Sequence, residues 1–180
     1  MKKEKSKKEV SKFKVEKSGI SGKGVFAVKD IKKGEYLCIM DGEEMTINEM
    51  IRRVDEEESE EGSDPLQIDN NKYIDLTEVP RSFNHSCDPN AFISGKNTLK
   101  AMKDIKKGEE ITYDYSTTMN DNAEIINEGG DEDYVWTCKC NCGSKNCRGI
   151  INQFKTLPKK LKDYYLKNKL VPNHIQKSFE

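Results

Sequence analysis

Apolar residues in this chain alternate with polar ones over short stretches and rarely recur at helical spacing. Gly24-Val25-Phe26-Ala27-Val28, Tyr36-Leu37-Cys38-Ile39, Tyr73-Ile74-Asp75-Leu76, Ala91-Phe92-Ile93 and Ile111-Thr112-Tyr113 are all short runs punctuated by Gly, Asp and Asn. Such a pattern predicts many short strands, grouped in two apolar islands at about 19–42 and 66–115. Helical spacing shows in two places. Thr46 followed by Glu49 reads as a capping box, and Met50, Ile51 and Val54 continue an apolar stripe behind it. A second helix is predicted from Pro158 to Lys169, with Leu157, Leu161, Tyr164, Tyr165 and Leu166 on its apolar side, stopping before Pro172.

One segment echoes another. Ala27-Val28-Lys29-Asp30-Ile31-Lys32-Lys33-Gly34-Glu35 matches Ala101-Met102-Lys103-Asp104-Ile105-Lys106-Lys107-Gly108-Glu109 at eight of nine positions. Each copy reads as a strand end, a turn closed by Gly and the start of the next strand. Two copies are too few for a solenoid, so the echo predicts two similar corners in one mainly β framework.

Composition adds a constraint on extent. The chain has 180 residues, 31 Lys plus Arg against 32 Asp plus Glu, and a net charge of −1. That length fits one domain with a small appendage. The near-zero sum hides blocks: residues 1–17 hold eight Lys against three Glu, 41–64 hold eleven acids against Arg52 and Arg53, and 119–134 hold six acids with no Lys or Arg. Blocks of this kind are solvated faces or disordered tails by default. Residues 1–14 are expected to form a basic disordered arm and 119–135 an acidic linker. No apolar run is long enough to span a membrane, and the charged N-terminus lacks the apolar stretch of a secretory signal.

Six cysteines without signs of export point to reduced thiols or a metal site. Cys138, Cys140, Cys142 and Cys147 lie within ten residues, a density that suits a structural zinc ion. Two arrangements compete. Either all four bind one ion, or three do and a distant residue completes the shell; strain within so short a segment weighs against the first. An ion there would order a polar segment that has little core of its own.

A second dense stretch is Arg81-Ser82-Phe83-Asn84-His85-Ser86-Cys87-Asp88-Pro89-Asn90. Taken alone, His85 reads as a hydrogen-bonded loop residue and Tyr115 as a half-buried strand-end tyrosine. Taken together, Asn84-His85-Ser86-Cys87-Asp88-Pro89-Asn90, Gly108-Glu109-Glu110-Ile111-Thr112-Tyr113-Asp114-Tyr115 and Cys140-x-Cys142-x4-Cys147-Arg148-Gly149 resemble the SET-domain protein lysine methyltransferases with a post-SET zinc motif. Gly19-Ile20-Ser21-Gly22-Lys23-Gly24-Val25-Phe26-Ala27 is similar to the opening of that family.

The resemblance implies a β-clip-like fold of several small sheets with short helices and a knot-like core. It divides the chain into a SET domain at 15–118 with an insert at about 44–72, a post-SET zinc segment at 136–154, and a C-terminal helix and tail at 155–180. It also implies that Ser21, Gly22, Lys23, Asn84, His85, Tyr115 and Ile151 bind S-adenosylmethionine. Cys87, Cys140, Cys142 and Cys147 would hold zinc, leaving Cys138 spare. Tyr115 resembles the family's catalytic tyrosine. Tyr113 occupies a position where the family carries Phe or Tyr, and its hydroxyl favours mono- or dimethylation. Phe154 would supply an aromatic wall to the lysine channel, or else pack in the core. Met40 departs from the pattern, standing where many relatives have a second active-site tyrosine.

The expected reaction is methyl transfer from S-adenosylmethionine to a lysine amine of a protein substrate. A basic, histone-like tail fits, because the acidic run at Asp55-Glu56-Glu57-Glu58-Ser59-Glu60-Glu61 would attract it. The rival reading is a zinc-stabilised module that binds basic tails without modifying them. No aromatic-interleaved basic patch or groove-binding motif supports direct nucleic-acid binding. The expected location is intracellular: chromatin in a eukaryote, otherwise the cytoplasm or a host cell.

Overall fold

The first apolar island folds as a hairpin. In the computed structural model, which describes residues 11–56, 65–120 and 137–180, strand β1 (Phe13–Lys17) pairs antiparallel with β2 (Lys23–Ala27). β1 therefore begins inside the stretch expected to be a disordered arm. Residues 1–10, the acids at 57–64 and residues 121–135 of the expected linker lie outside the described residues.

Strands β3 (Tyr36–Ile39), β7 (Ala91–Ser94) and β8 (Thr98–Ala101) form a sheet in the order β3-β8-β7. Strands β4 (Gly42–Thr46), β5 (Pro65–Asp69) and β6 (Lys72–Leu76) form another in the order β4-β6-β5. A short pair, β9 (Cys138–Lys139) and β10 (Ile150–Ile151), closes the cysteine segment. This is the mainly β set of small sheets expected from the alternation. Inward residues of both islands, among them Val25, Ile31, Leu37, Phe83, Ile93, Leu99, Ile105 and Ile111, form one buried core. Each such side chain contributes about 1.5–3 kcal/mol by leaving water.

Helix α1 (Ile47–Glu56) starts where the capping box places it, and Thr46 Oγ1 accepts from the Glu49 N–H at 3.4 Å. A four-residue helix, α2 (Glu78–Arg81), sits just before the Asn84-His85 stretch and was not predicted, being too short for a periodic signal. Helix α3 (Lys159–Lys167) is shorter than the expected 158–169. Lys169 takes a left-handed φ of 53° while the Leu170 N–H returns to the Tyr165 carbonyl at 2.9 Å, which ends the helix. Pro172 does more than stop it, because a further helix, α4 (Asn173–Ser178), follows directly. Phe154, Leu157, Tyr165, Leu170, Val171 and Ile175 give these C-terminal helices a core of their own.

The two copies of the nine-residue echo lie against each other. Gly34 donates its N–H to the Ala101 carbonyl and Gly108 to that of Ala27, both at 2.8 Å, with φ of 84° and 88° that favour glycine. The clasp holds β2 beside the stretch at 110–113, where the Ile111 N–H donates to the Val25 carbonyl at 2.7 Å. On its other side, that stretch runs parallel to Asn84-His85-Ser86. Tyr113 donates to the Asn84 carbonyl at 3.2 Å and accepts from the Ser86 N–H at 3.1 Å. Three segments distant in sequence thus meet side by side.

Candidate active site

The β1–β2 turn, the stretch after α2, the turn at Tyr115 and the β9–β10 segment line a cleft of 880 Å³, a size suited to a small molecule. Ser21, Gly22, Lys23, Asn84, His85, Tyr115 and Ile151 all face it, joined by Glu78, Arg81, Cys138 and Cys142. Lys23 and Glu78 pair at its wall, Nζ to Oε1 2.9 Å.

Asn84 ties the turn to the core. Its side-chain nitrogen lies 3.2 Å from the Ser21 carbonyl, 2.9 Å from that of Lys23 and 2.8 Å from Glu110 Oε1. Glu110 also accepts from Ser18 Oγ at 2.8 Å. A Cβ on Gly24 would stand 2.2 Å from Glu110 Oε1, so any larger residue there would push this carboxylate away from its place beside Ser18 and Asn84. The turn is held by an amide and a carboxylate, both from distant segments.

Tyr115 begins a 3₁₀ turn, Tyr115–Thr117, capped by the Asp114 side chain. Its hydroxyl donates to the Phe83 carbonyl at 2.7 Å, and its backbone N–H donates to His85 Nδ1 at 3.2 Å. Because Nδ1 accepts, the His85 proton belongs on Nε2, which faces Cys87 Sγ at 3.3 Å. Burial lowers the His85 pKa to about 4, against the pull of the Asp114 carboxylate and with some help from Arg148. His85 is therefore neutral near pH 7 and donates toward sulfur.

Asp114 is 1 % exposed and fully engaged. Arg148 reaches it with two nitrogens, at 2.9 and 2.7 Å, and Tyr165 Oη donates at 3.1 Å. His85 Nδ1 lies 3.5 Å away, without an ion pair because the ring is neutral. A charge this deep requires such partners, since an unpaired buried carboxylate would be too costly.

His85, Cys87, Cys140 and Cys142 bring one ligand atom each to within 4.8 Å of one another. Backbone N–H groups aim at the sulfurs: Cys87 at Cys142 Sγ (3.5 Å), Arg148 at Cys87 Sγ (3.4 Å) and Gly149 at Cys147 Sγ (3.4 Å). Burial raises the Cys87 and Cys140 thiols, whereas hydrogen bonds from Cys87 and Ser144 outweigh burial at Cys142 and lower it. Crowded sulfurs with N–H donors directed at them have the donor chemistry of a thiolate metal site. Cys147, the remaining expected ligand, is not one of these four; its Sγ lies 3.9 Å from the Cys140 carbonyl.

Other expected residues sit elsewhere. Tyr113 is outside the cleft lining and 5 % exposed, with its ring 4.7 Å from that of Tyr115. Phe154 is fully buried among the C-terminal helices, so it is a core residue and not a channel wall. Met40 is fully buried in the main core, bonded through its backbone to Asn97. Cys138 is exposed and lines the cleft.

Comparison with known proteins matches residues 22–116 to the SET domain family model, which spans more than half of the chain. The chain belongs to the SET-domain family. It is 32% identical over 148 residues to histone-lysine N-methyltransferase trithorax of Drosophila virilis, covering 76% of this chain and 4% of that protein. It is 31% identical over 160 residues to the H3 lysine-9 specific histone-lysine N-methyltransferase KMT1 of Fusarium mangiferae, covering 72% of this chain and 45% of that one. The chain thus spans less than half the length of these relatives. Among solved structures, the methyltransferase domain of human SETMAR aligns with a TM-score of 0.61 at 25% identity, over 78% of this chain and 58% of that one. A ctPRC2 structure bound to S-adenosylmethionine aligns with a TM-score of 0.55 at 26% identity, over 66% of this chain and 17% of that one.

Four residues of this SET domain's site carried no assigned role in the sequence: Glu110, Asp114, Arg148 and Tyr165. Asp114 lies between two tyrosines and Arg148 follows Cys147, so their neighbours marked them, but their pairing spans 34 residues. Tyr165 read only as part of an apolar helix face.

Proposed function

We propose that this SET domain transfers a methyl group from S-adenosylmethionine to a lysine side chain of a protein substrate, in keeping with relatives named as histone-lysine methyltransferases. The observation that carries this reading is the convergence on one cleft of the Ser21-Gly22-Lys23 turn, Asn84, His85 and Tyr115. Those residues and Ile151 would hold the cosubstrate, which supplies an electrophilic methyl group on a sulfonium. The chain supplies position and polarity. Tyr115, donating to the Phe83 carbonyl, has its proton engaged, so its oxygen serves as an acceptor that orients an amine N–H. It is therefore not cast as the general base. The lysine must arrive neutral, and an apolar approach lowers its pKa from about 10.4. Tyr113, packed on Tyr115, limits space beside the amine and favours mono- or dimethyl products.

Zinc would be held by Cys87, Cys140, Cys142 and Cys147. His85 lies near enough to compete, but its Nε2 carries the proton and so donates to sulfur. The ion would act as a structural cross-link between the cysteine segment and the Asn84-His85 stretch. A Lys-rich, histone-like tail fits the acidic insert, and a chromatin location follows if histones are the substrate.

The test is incubation with labelled S-adenosylmethionine and a panel of basic proteins that includes histones. Label on lysine, abolished in Tyr115→Phe, supports the reading. Tight cofactor binding with no transfer would replace it with the non-catalytic module that only binds basic tails.

A further inference from the structure

The C-terminal helices α3 and α4 and the turn that leads into them touch the stretch that carries Tyr115 at three points. Tyr165 of α3 is 2 % exposed and places its hydroxyl 3.1 Å from Asp114 Oδ2. His174 of α4 holds the Thr118 carbonyl through Nε2 at 3.0 Å. Phe154, the first residue of the turn leading into α3, donates its backbone N–H to the Met119 carbonyl at 2.8 Å. Asp114, inside the matched region 22–116, and residues 118 and 119 just beyond it are thus pinned by the C-terminal segment.

The central contact is chemically specific. Asp114 precedes Tyr115, caps its 3₁₀ turn by accepting from the Ser116 N–H at 3.1 Å, and takes both Arg148 nitrogens. Arg148 follows Cys147, so one carboxylate joins the tyrosine turn, the cysteine segment and the C-terminal helix. Oδ2 faces two donors, Arg148 Nη1 and Tyr165 Oη. Removing the Tyr165 hydroxyl leaves the carboxylate charged and buried but less restrained, able to shift within the fork of Arg148. Because Tyr115 donates its own N–H to His85 Nδ1, any rotation of this turn moves both the Tyr115 hydroxyl and the His85 ring.

Building on the methyl-transfer reading, we propose that the C-terminal helix pair is a built-in clamp for the catalytic turn, with Tyr165 as the positioning residue that sets Tyr115 through Asp114. The clamp acts mainly on the geometry at the point of reaction: Tyr165 is absent from the cleft lining, and the cleft contacts of Ser21, Gly22, Lys23 and Asn84 lie outside the Tyr115 turn.

The experiment uses the full chain and Tyr165→Phe, with the neighbouring residue Tyr164, 48% exposed, changed to Phe as a control. Losing one hydrogen bond to a charged group predicts a kcat lower by about 10-fold. KM for cosubstrate and peptide should stay within about 2-fold, as expected for an interaction that acts only in the transition state. Hydrogen exchange, read on the unliganded protein, should show faster exchange at the amides of Tyr115–Thr118 and no change in β2. Tyr164→Phe should match the parent chain in every measurement. Unchanged kcat and unchanged exchange in Tyr165→Phe would overturn the clamp, as would a rise in KM that accounts for the whole loss. If the parent chain transfers no methyl group to any substrate, the functional reading fails, and the exchange measurement alone then decides the clamp.

Discussion

Ile31 and Ile105 exchange both backbone hydrogen bonds, at 2.8 and 2.9 Å, at equivalent positions of two nearly identical nine-residue segments. The exchange extends outward with the same symmetry. Asp104 Oδ1 accepts from the Lys33 N–H at 2.9 Å and Asp30 Oδ1 from the Lys107 N–H at 3.0 Å. Glu35 and Glu109 each accept from the N–H three residues earlier, at 2.6 and 2.7 Å. The echo is thus a pair of interlocked corners that fixes β2 against the stretch at 110–113.

Both isoleucines are at most 1 % exposed, so truncating either leaves a cavity at the centre of the clasp. Ile105→Ala should destabilise the fold by about 2–5 kcal/mol. Urea unfolding should show a lower midpoint with an unchanged slope, and Lys29→Ala on the exposed part of the same corner should change neither.

Tyr115→Phe removes the hydroxyl that meets the Phe83 carbonyl while keeping the ring against Tyr113 and His85. Methyl transfer should fall by about 10²- to 10³-fold, the usual cost of losing a preorganised polar contact at a reacting atom. Cosubstrate binding, followed by calorimetry, should change little. Transfer retained at the parent rate would remove Tyr115 from the mechanism.

Metal content should be one zinc per chain, measured by elemental analysis of protein purified without added metal. Chelation should lower thermal stability and weaken cosubstrate binding together, because Cys142 lines the cleft and Cys87 is bonded to His85. Cys138→Ser should keep the ion, whereas Cys140→Ser should lose it.

Alkylation should separate the two cysteines outside the proposed metal site. Burial, with a smaller effect from Asp41, pushes the Cys38 pKa up to about 12, so its thiol stays protonated at pH 8 while exposed Cys138 reacts. Mass spectrometry after brief iodoacetamide treatment should find label on Cys138 and none on Cys38. The unfolded chain ionises this thiol near about 8.5. The contribution of Cys38 to stability is therefore present below that pH and is lost as pH rises toward 12.

Much of this molecule is legible without coordinates because the relevant physics is local. Alternation at Val25, Leu37, Ile74 and Ile93 requires short half-buried strands, Thr46 and Glu49 start a helix, and four cysteines in ten residues mark their segment as a candidate metal site. The motifs around Asn84, Tyr115 and Cys147 were enough to expect the family. What the sequence left open involves partners far apart along the chain. No spacing rule joins Asp114 to Arg148 and Tyr165, assigns the His85 proton to Nε2, or puts Phe154 in the C-terminal core and Met40 in the main one. These depend on which segments pack together, and burial forces charged and polar groups to find partners only after packing has removed water.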